Sequence, residues 1–321
     1  MHPISRLMDA YTAAQMYYLD GMTMEEIGAE HGCSRSTVSR MLRDARDHGL
    51  VTISLRPPGE QRVQALRAQL RSRFGITAHV VPVTVGSDGR TRLADVAREA
   101  ARVIDAHLQP DSIIAVAWGT TLTAVAEHVI PRTVPGARVV QLNGAIDSEG
   151  SGFEHARGTV ALMAEKWDAT AHPFVVPAFF DYEETRRAVW RERSTTRIVD
   201  LQDRASLAVF SGGAFEAEVP SKVYTSGYFS QEITDQLAAD GVVGDVCTRF
   251  LRPDGSWDGI AINQRASGPS PERLMRIPRR LMVASGLGKV PVIRAALLAG
   301  LVTDLVIDEA AATALLAHNV A

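Results

Sequence analysis

The stretch Ile113-Ile114-Ala115-Val116-Ala117-Trp118-Gly119-Thr120-Thr121-Leu122 decides the fold class of most of this 321-residue chain. Its six leading apolar residues leave no polar face, so a strand here is buried on both sides, as the strands of a parallel sheet are. Gly119 ends the run, and two threonines follow where a helix begins. The same grammar extends outward in both directions. Apolar strands at 79–83, 138–142, 174–176, 205–210, 281–284 and 305–307 alternate with helices at 93–107, from 121, at 290–299 and from 309. This alternation implies an α/β, Rossmann-like domain whose parallel sheet is covered by helices on both faces. No repeat of fixed period is present.

In such a sheet, ligands bind beyond the carboxyl ends of the strands. Gly119, Thr120 and Thr121 stand at one of these ends, where free helix amides and two hydroxyls suit a phosphate, although a plain turn and helix cap would read the same way. Further strand ends carry small or polar residues: Asn143-Gly144, Ser211-Gly212-Gly213 and Ser285-Gly286-Leu287-Gly288-Lys289. Lys289 is one of three lysines in a chain that otherwise uses arginine. A compact ammonium beside glycines suits a phosphate or an anionic sugar oxygen, and a surface salt bridge is the plainer alternative. The run is no nucleotide-phosphate loop, because the first glycine is misplaced and Val290 follows the lysine. Asp245, next to Gly244 in what reads as a polar loop, is suited to sugar hydroxyls or to capping a turn.

Ahead of this domain, residues 5–56 read as three helices and a short strand. The first helix, 5–19, carries Leu7, Met8, Tyr11, Ala14, Met16, Tyr18 and Leu19, and Asp20-Gly21 stops it. The second, 24–31, turns Ile27 and Ala29 inward, and Gly32-Cys33 makes the turn. Ser34 is an N-cap for a third helix running to residue 48, and Gly49 terminates it. Val38, Met41, Leu42 and Ala45 form that helix's buried stripe. Its other face displays Arg35, Ser36, Thr37, Ser39, Arg40, Arg43 and Arg46. Residues 51–55 alternate like a strand, which would make the unit winged, and Pro57-Pro58-Gly59 marks a boundary. The expected division is therefore a helix-turn-helix over 1–56, a linking helix over 57–75 with Val63, Leu66 and Leu70 on one face, and the α/β domain over 76–321.

Between residues 34 and 46, four arginines face one aspartate, whereas the whole chain carries a net charge of −3. Positive charge concentrated on one helix is what docking in the DNA major groove needs, with Arg35 or Arg40 able to bind guanine in bidentate fashion. The bland alternative is an arginine-rich solvated helix. Cys33 and Cys247 are far apart and without partners of ligand type, so neither a disulfide nor a metal site is expected. No cofactor is expected either. With neither a signal peptide nor an uncharged apolar span, the expected location is cytoplasmic.

Tyr17-Tyr18-Leu19, the block Glu26-Ile27 through Ser39-Arg40-Met41-Leu42, and Ala45-Arg46-Asp47-His48-Gly49-Leu50-Val51 resemble the DNA-binding module of the SorC family of sugar-responsive regulators. Trp118-Gly119-Thr120-Thr121, Gln141-Leu142-Asn143-Gly144, Gly244-Asp245-Val246 and the closing run from Ser285 to Glu309 resemble that family's effector domain. The resemblance implies a fold similar to sugar-phosphate isomerases and deaminases, assembly as dimers or tetramers, and a phosphorylated sugar that changes affinity for operator DNA. It carries Thr120 and Thr121 over as phosphate contacts and Asp245 and Lys289 as effector contacts. Two departures favour a monophosphate over a bisphosphate: Ala-Ser-Gly-Leu-Gly-Lys replaces the commoner Gly-Gly pair, and Asn143 stands where some members have a basic residue. Two other readings remain open at this point. One is a sugar-phosphate isomerase or deaminase using Asp245, Glu154 and His155; the other is an architectural DNA-binding protein.

Overall fold

The computed structural model describes residues 3–48, 50–51, 60–84, 86–145, 151–219, 221–225 and 228–317. The chain divides into two compact units, Met1–Pro58 and Gly59–Ala321.

The first unit contains helices α1 (Pro3–Tyr18), α2 (Met24–Glu30) and α3 (Arg35–Asp47). Its core is Ala10, Ala13 and Ala14 of α1 against Ile27, Val38, Leu42 and Ala45. The helix α1 therefore buries its alanine stripe, which lets α3 approach closely, and leaves Met8, Tyr11, Tyr18 and Leu19 exposed. Ala29, expected inside, is exposed, and Gly28 takes the inner position. A Cβ at residue 28 would lie 2.8 Å from the Cys33 carbonyl oxygen, so the chain turns back against α2 where a side chain would block it. The strand expected at 51–55, the boundary at 57–59 and the helix stop at Gly49 lie outside the described residues, apart from Val51.

The second unit opens with α4 (Glu60–Phe74), whose Val63, Leu66 and Leu70 pack into the core of the α/β domain. The helix read as a link is thus part of this unit. There follow β1 (Thr77–Val81), α5 (Gly89–His107), β2 (Ile113–Val116), α6 (Thr120–His128), β3 (Arg138–Gln141), α7 (Ser151–Trp167), β4 (Thr170–His172), α8 (Glu183–Val189), α9 (Arg193–Asp203), β5 (Leu207–Phe210) and β6 (Gly212–Gly213). The chain continues through α10 (Lys222–Thr225), α11 (Gln231–Ala239), β7 (Gly244–Val246), β8 (Arg249–Leu251), α12 (Pro271–Leu274), β9 (Arg279–Ala284), α13 (Val290–Leu298), β10 (Asp304–Asp308) and α14 (Glu309–Ala317).

Seven strands form one sheet in the order β1-β10-β9-β5-β2-β3-β4, and every pairing in it is parallel. Alternate residues feed two separate cores. Ala115, Ala208, Met282 and Ile307 face one side, and Ile114, Val116, Val209, Val283 and Val306 face the other, so apolar runs without alternation are what both faces require. A small antiparallel sheet, β6-β7-β8, adjoins it. Asp245, read from the sequence as a loop residue, is therefore on a buried strand. Residues 174–176, read as a strand, are not one. The edge strand is Thr170–His172, and Phe174 and Val176 are apolar because they join Phe180 in a side cluster against Trp190.

Among the described residues, no helix is long and apolar enough to cross a membrane, and no group of three or more His, Cys, Asp or Glu is placed to hold a metal.

Candidate functional site

Two sets of residues carry chemistry, one in each unit. In the first, Thr23 and Glu26 form a reciprocal capping box that starts α2. Ser34 caps α3: its Oγ accepts from the Thr37 amide at 3.3 Å and lies 2.8 Å and 2.9 Å from the Ser36 and Thr37 hydroxyls. Ser34 and Thr37 thus have a structural task whatever else they touch. Arg35 pairs with Glu25 at 3.0 Å on the surface. Ser36, Arg40, Arg43 and Arg46 are exposed, while Ser39 is half-buried. The face opposite the Val38, Leu42 and Ala45 stripe is therefore a row of cations and hydroxyls.

In the second unit, β2 leads to β3 on one side of the sheet, while β5 and β9 lie on its other side. The carboxyl ends of β2 and β5 are adjacent at this reversal, the position where open α/β sheets leave a crevice. A cavity of about 50 Å³ lies there, lined by Gly119, Thr120, Thr121, Asn143, Gly213, Asp245 and Lys289. Seven of the eight effector residues expected from the sequence thus converge. The eighth, Gly144, stands behind them: its amide donates to Ser267 Oγ at 2.9 Å and its carbonyl accepts from Trp118 Nε1 at 2.8 Å. Gly119 precedes α6 at φ +135°, which a side chain would resist.

Lys289 is the centre of the cavity's electrostatics. Its Nζ donates to Thr121 Oγ1 at 3.1 Å and Ser211 Oγ at 3.0 Å. An ammonium has three donors, so one is left after these two hydroxyls. Burial holds its pKa down to about 8, with the Asp245 charge opposing the shift. Asp245 accepts from Tyr224 Oη at 2.9 Å and from the Thr248 amide at 2.8 Å. Burial raises its pKa against the effect of these two donors. The oxygen Oδ1 of Asn143 is buried with no hydrogen-bond partner, an acceptor awaiting a donor.

Ser211, from a strand end noted in the sequence, also lines this cavity, whereas Cys247 and Thr248 on its wall were not expected there. Cys247 and Thr248 form the β7–β8 turn at φ +50° and +67°. A non-glycine pair in this conformation is costly. Asp245 holds it from one side, and from the other Thr248 Oγ1 accepts from the Gly268 amide at 3.1 Å. Arg249, buried so that its pKa falls to about 9, fastens the same segment through the Gly268 and Asn263 carbonyls. The usual Asn-Gly signal is absent, so nothing in the sequence advertises this turn. The side chains of Glu154 and His155, weighed as acid–base candidates, lie outside those described.

Comparison with known proteins follows the same division. Residues 61–317 match the family model described as "Putative sugar-binding domain", and residues 15–48 match "Sigma-70, region 4". The chain is 32% identical over 305 residues to the deoxyribonucleoside regulator of Bacillus subtilis strain 168, an alignment covering 94% of this chain and 95% of that protein. It is 28% identical over 309 residues to the transcriptional regulator LsrR of Klebsiella pneumoniae, covering 95% and 91%. Among solved structures, a domain of "a possible sugar-binding transcriptional regulator" from Arthrobacter aurescens TC1 superposes with a TM-score of 0.75 at 43% identity, covering 80% of this chain and 98% of that one. The full-length sorbitol operon regulator SorC of Klebsiella pneumoniae shares the fold over 97% of this chain and 99% of its own, with a TM-score of 0.71 at 24% identity. With a sugar-binding domain spanning most of its length and a DNA-binding helical module ahead of it, the chain belongs to the SorC family of sugar-binding transcriptional regulators.

Proposed function

We propose that this regulator binds operator DNA through α3 and that a phosphorylated sugar, held in the Lys289 cavity, sets its affinity for that DNA. The observation that carries the reading is the pairing, in one buried cavity, of a cation with a spare donor and the unpartnered Asn143 oxygen. The ammonium, with the first amides of α6 behind Gly119, Thr120 and Thr121, suits a phosphate, because a helix start carries partial positive charge. The Asn143 oxygen suits a sugar hydroxyl, the one acceptor offered to the part of the ligand that is not phosphate. Asp245 and Gly213 shape the wall beside the ammonium.

On DNA, Arg40 and Arg43 lie free on the exposed face of α3 to reach bases and phosphates, with Arg35, Ser36 and Ser39 beside them. One such helix reads only a few base pairs, so the working species is a dimer or tetramer on a palindromic site. The ligand acts by binding more tightly to one arrangement of the DNA-binding heads, and it shifts DNA affinity by no more than that difference.

Calorimetric titration with matched sugars and sugar phosphates tests the ligand assignment. Phosphorylated forms are expected to bind and their unphosphorylated counterparts to bind at least tenfold more weakly. Equal binding of both would refute the phosphate site.

A further inference from the structure

A groove rich in arginine lies apart from the residues of the Lys289 cavity, along the outer edge of the main sheet. Here α9 packs on β3 and β2, and a groove of about 660 Å³ is lined by α9 together with Arg138 of β3 and Thr170 and His172 of β4. Its walls carry Arg138, Arg193, Arg197 and Arg204 against a single acid, Asp200, with His172 at its margin. Some surface arginines elsewhere in this unit are matched with acids, among them Arg98 with Asp95, Arg102 with Glu99, Arg132 with Asp105, Arg187 with Glu183 and Arg273 with Asp203. None of the four groove arginines has an ion pair among the described residues. An uncompensated cationic row on a chain of net charge −3 attracts an anionic partner.

Three further features narrow the class of that partner. Arg193, Arg197 and Arg204 are spread along roughly 16 Å of helix at the usual rise per residue, so an extended chain meets all three and a compact ion does not. Past His172 and Arg197, the groove continues into a hollow of about 380 Å³ whose wall sets apolar Pro173, Val175 and Ile198 beside Ser194 and Thr195, with Val175 57% exposed. A nucleic-acid backbone has no use for such a hollow, whereas a peptide with an aliphatic side chain does. Finally, β4 pairs on one side with β3 and on the other with no strand among the described residues. Its free edge offers backbone hydrogen bonds of the kind that added strands use. The buried Nε2 of His172 also lacks a partner there. Two-fold pairing of this face with itself would set arginine against arginine, which argues against a second copy as occupant.

We propose that this groove binds a short acidic, partly aliphatic peptide segment of another protein, its carboxylates on the α9 arginines and its aliphatic residue in the hollow beside Val175. The length fits: 16 Å of groove spans about five extended residues.

The full-length chain, immobilised, is panned against a displayed heptapeptide library at low salt, with the double variant R193E/R197E panned in parallel. Expected is enrichment, on the unsubstituted chain only, of peptides combining two or more Asp or Glu with an aliphatic residue. A synthetic peptide of that consensus should bind at least tenfold more weakly to R193E/R197E and to Val175→Asp, whose thermal unfolding and sugar-phosphate response stay unchanged. Enrichment that the substitutions do not alter, or no enrichment at all, overturns the proposal. So does loss of binding to a non-operator duplex in R193E/R197E without loss of peptide binding, which marks a nucleic-acid surface. Self-association of the chain that the same substitutions abolish overturns it in favour of an interface between copies.

Discussion

Lys289 and Asn143 set opposite demands on stability and binding, and each yields a prediction at the scale of one side chain. The Lys289 pKa lies near 8, below its ordinary 10.5, so the folded state holds this proton less tightly than the unfolded chain. At neutral pH its buried charge therefore costs on the order of 3 kcal/mol, and the cost disappears as pH rises from about 8 to 10.5. Lys289→Met should raise the unfolding midpoint at neutral pH while abolishing the preference for phosphorylated ligands; scanning calorimetry and titration read the two effects together. In the unsubstituted protein a bound phosphate favours the charged ammonium, so affinity should fall as pH rises through about 8, with proton uptake on binding detectable in buffers of different ionisation enthalpy. Asn143→Ala removes an orphaned buried acceptor of a type that costs about 1–3 kcal/mol. Stability should hold or rise, and sugar-phosphate affinity should drop roughly tenfold. At this scale the sequence pointed to strand-end residues that line one cavity, but not to their state. That Lys289 is buried, and that Asn143 lacks a partner, depends on segments 146 residues apart in the chain meeting at one crevice. The Cys247-Thr248 turn was invisible because its conformation is imposed by Asp245, Gly268 and Arg249, not by its own residue types.

Among the elements, α3 keeps its folding residues apart from those proposed to meet DNA. Ser34 Oγ satisfies the first turn, and Ser34→Ala should cost the small unit about 1 kcal/mol, seen as a lower unfolding midpoint of the helical module. Arg40→Ala or Arg43→Ala replaces an exposed side chain and should leave that midpoint in place while weakening DNA binding. If the arginine contacts a phosphate, the salt dependence of binding should lose about one unit of slope; if it reads a base, discrimination at one position should relax by about 1–3 kcal/mol. The strands of the large sheet were legible because burial on both faces writes an unbroken apolar run, as at Ile113–Val116. The same rule misread 174–176, since an apolar run buried under Trp190 looks no different from one in a sheet. In α1, the apolar spacing marked a helix but not its inner face: Ala10, Ala13 and Ala14 are buried, while the larger Met8 and Tyr11 are exposed.

For the molecule as a whole, the proposed coupling lets one ligand in the α/β unit alter what the helical unit does on DNA. Couplings of this kind are typically 1–3 kcal/mol, a 5- to 150-fold change in affinity. Operator half-sites should lie an integral number of helical turns apart, about 10–10.5 base pairs each, which footprinting on the protein's own upstream DNA would display. This coupling is read from the affinity of the purified chain for that DNA at fixed salt, measured by fluorescence anisotropy with and without a panel of sugar phosphates, alongside Lys289→Met. One phosphorylated sugar should shift the affinity at least fivefold, its unphosphorylated form should not, and Lys289→Met should bind the DNA yet ignore the sugar phosphate. Specific DNA binding that no sugar phosphate alters, or a response that survives Lys289→Met undiminished, would contradict the coupling.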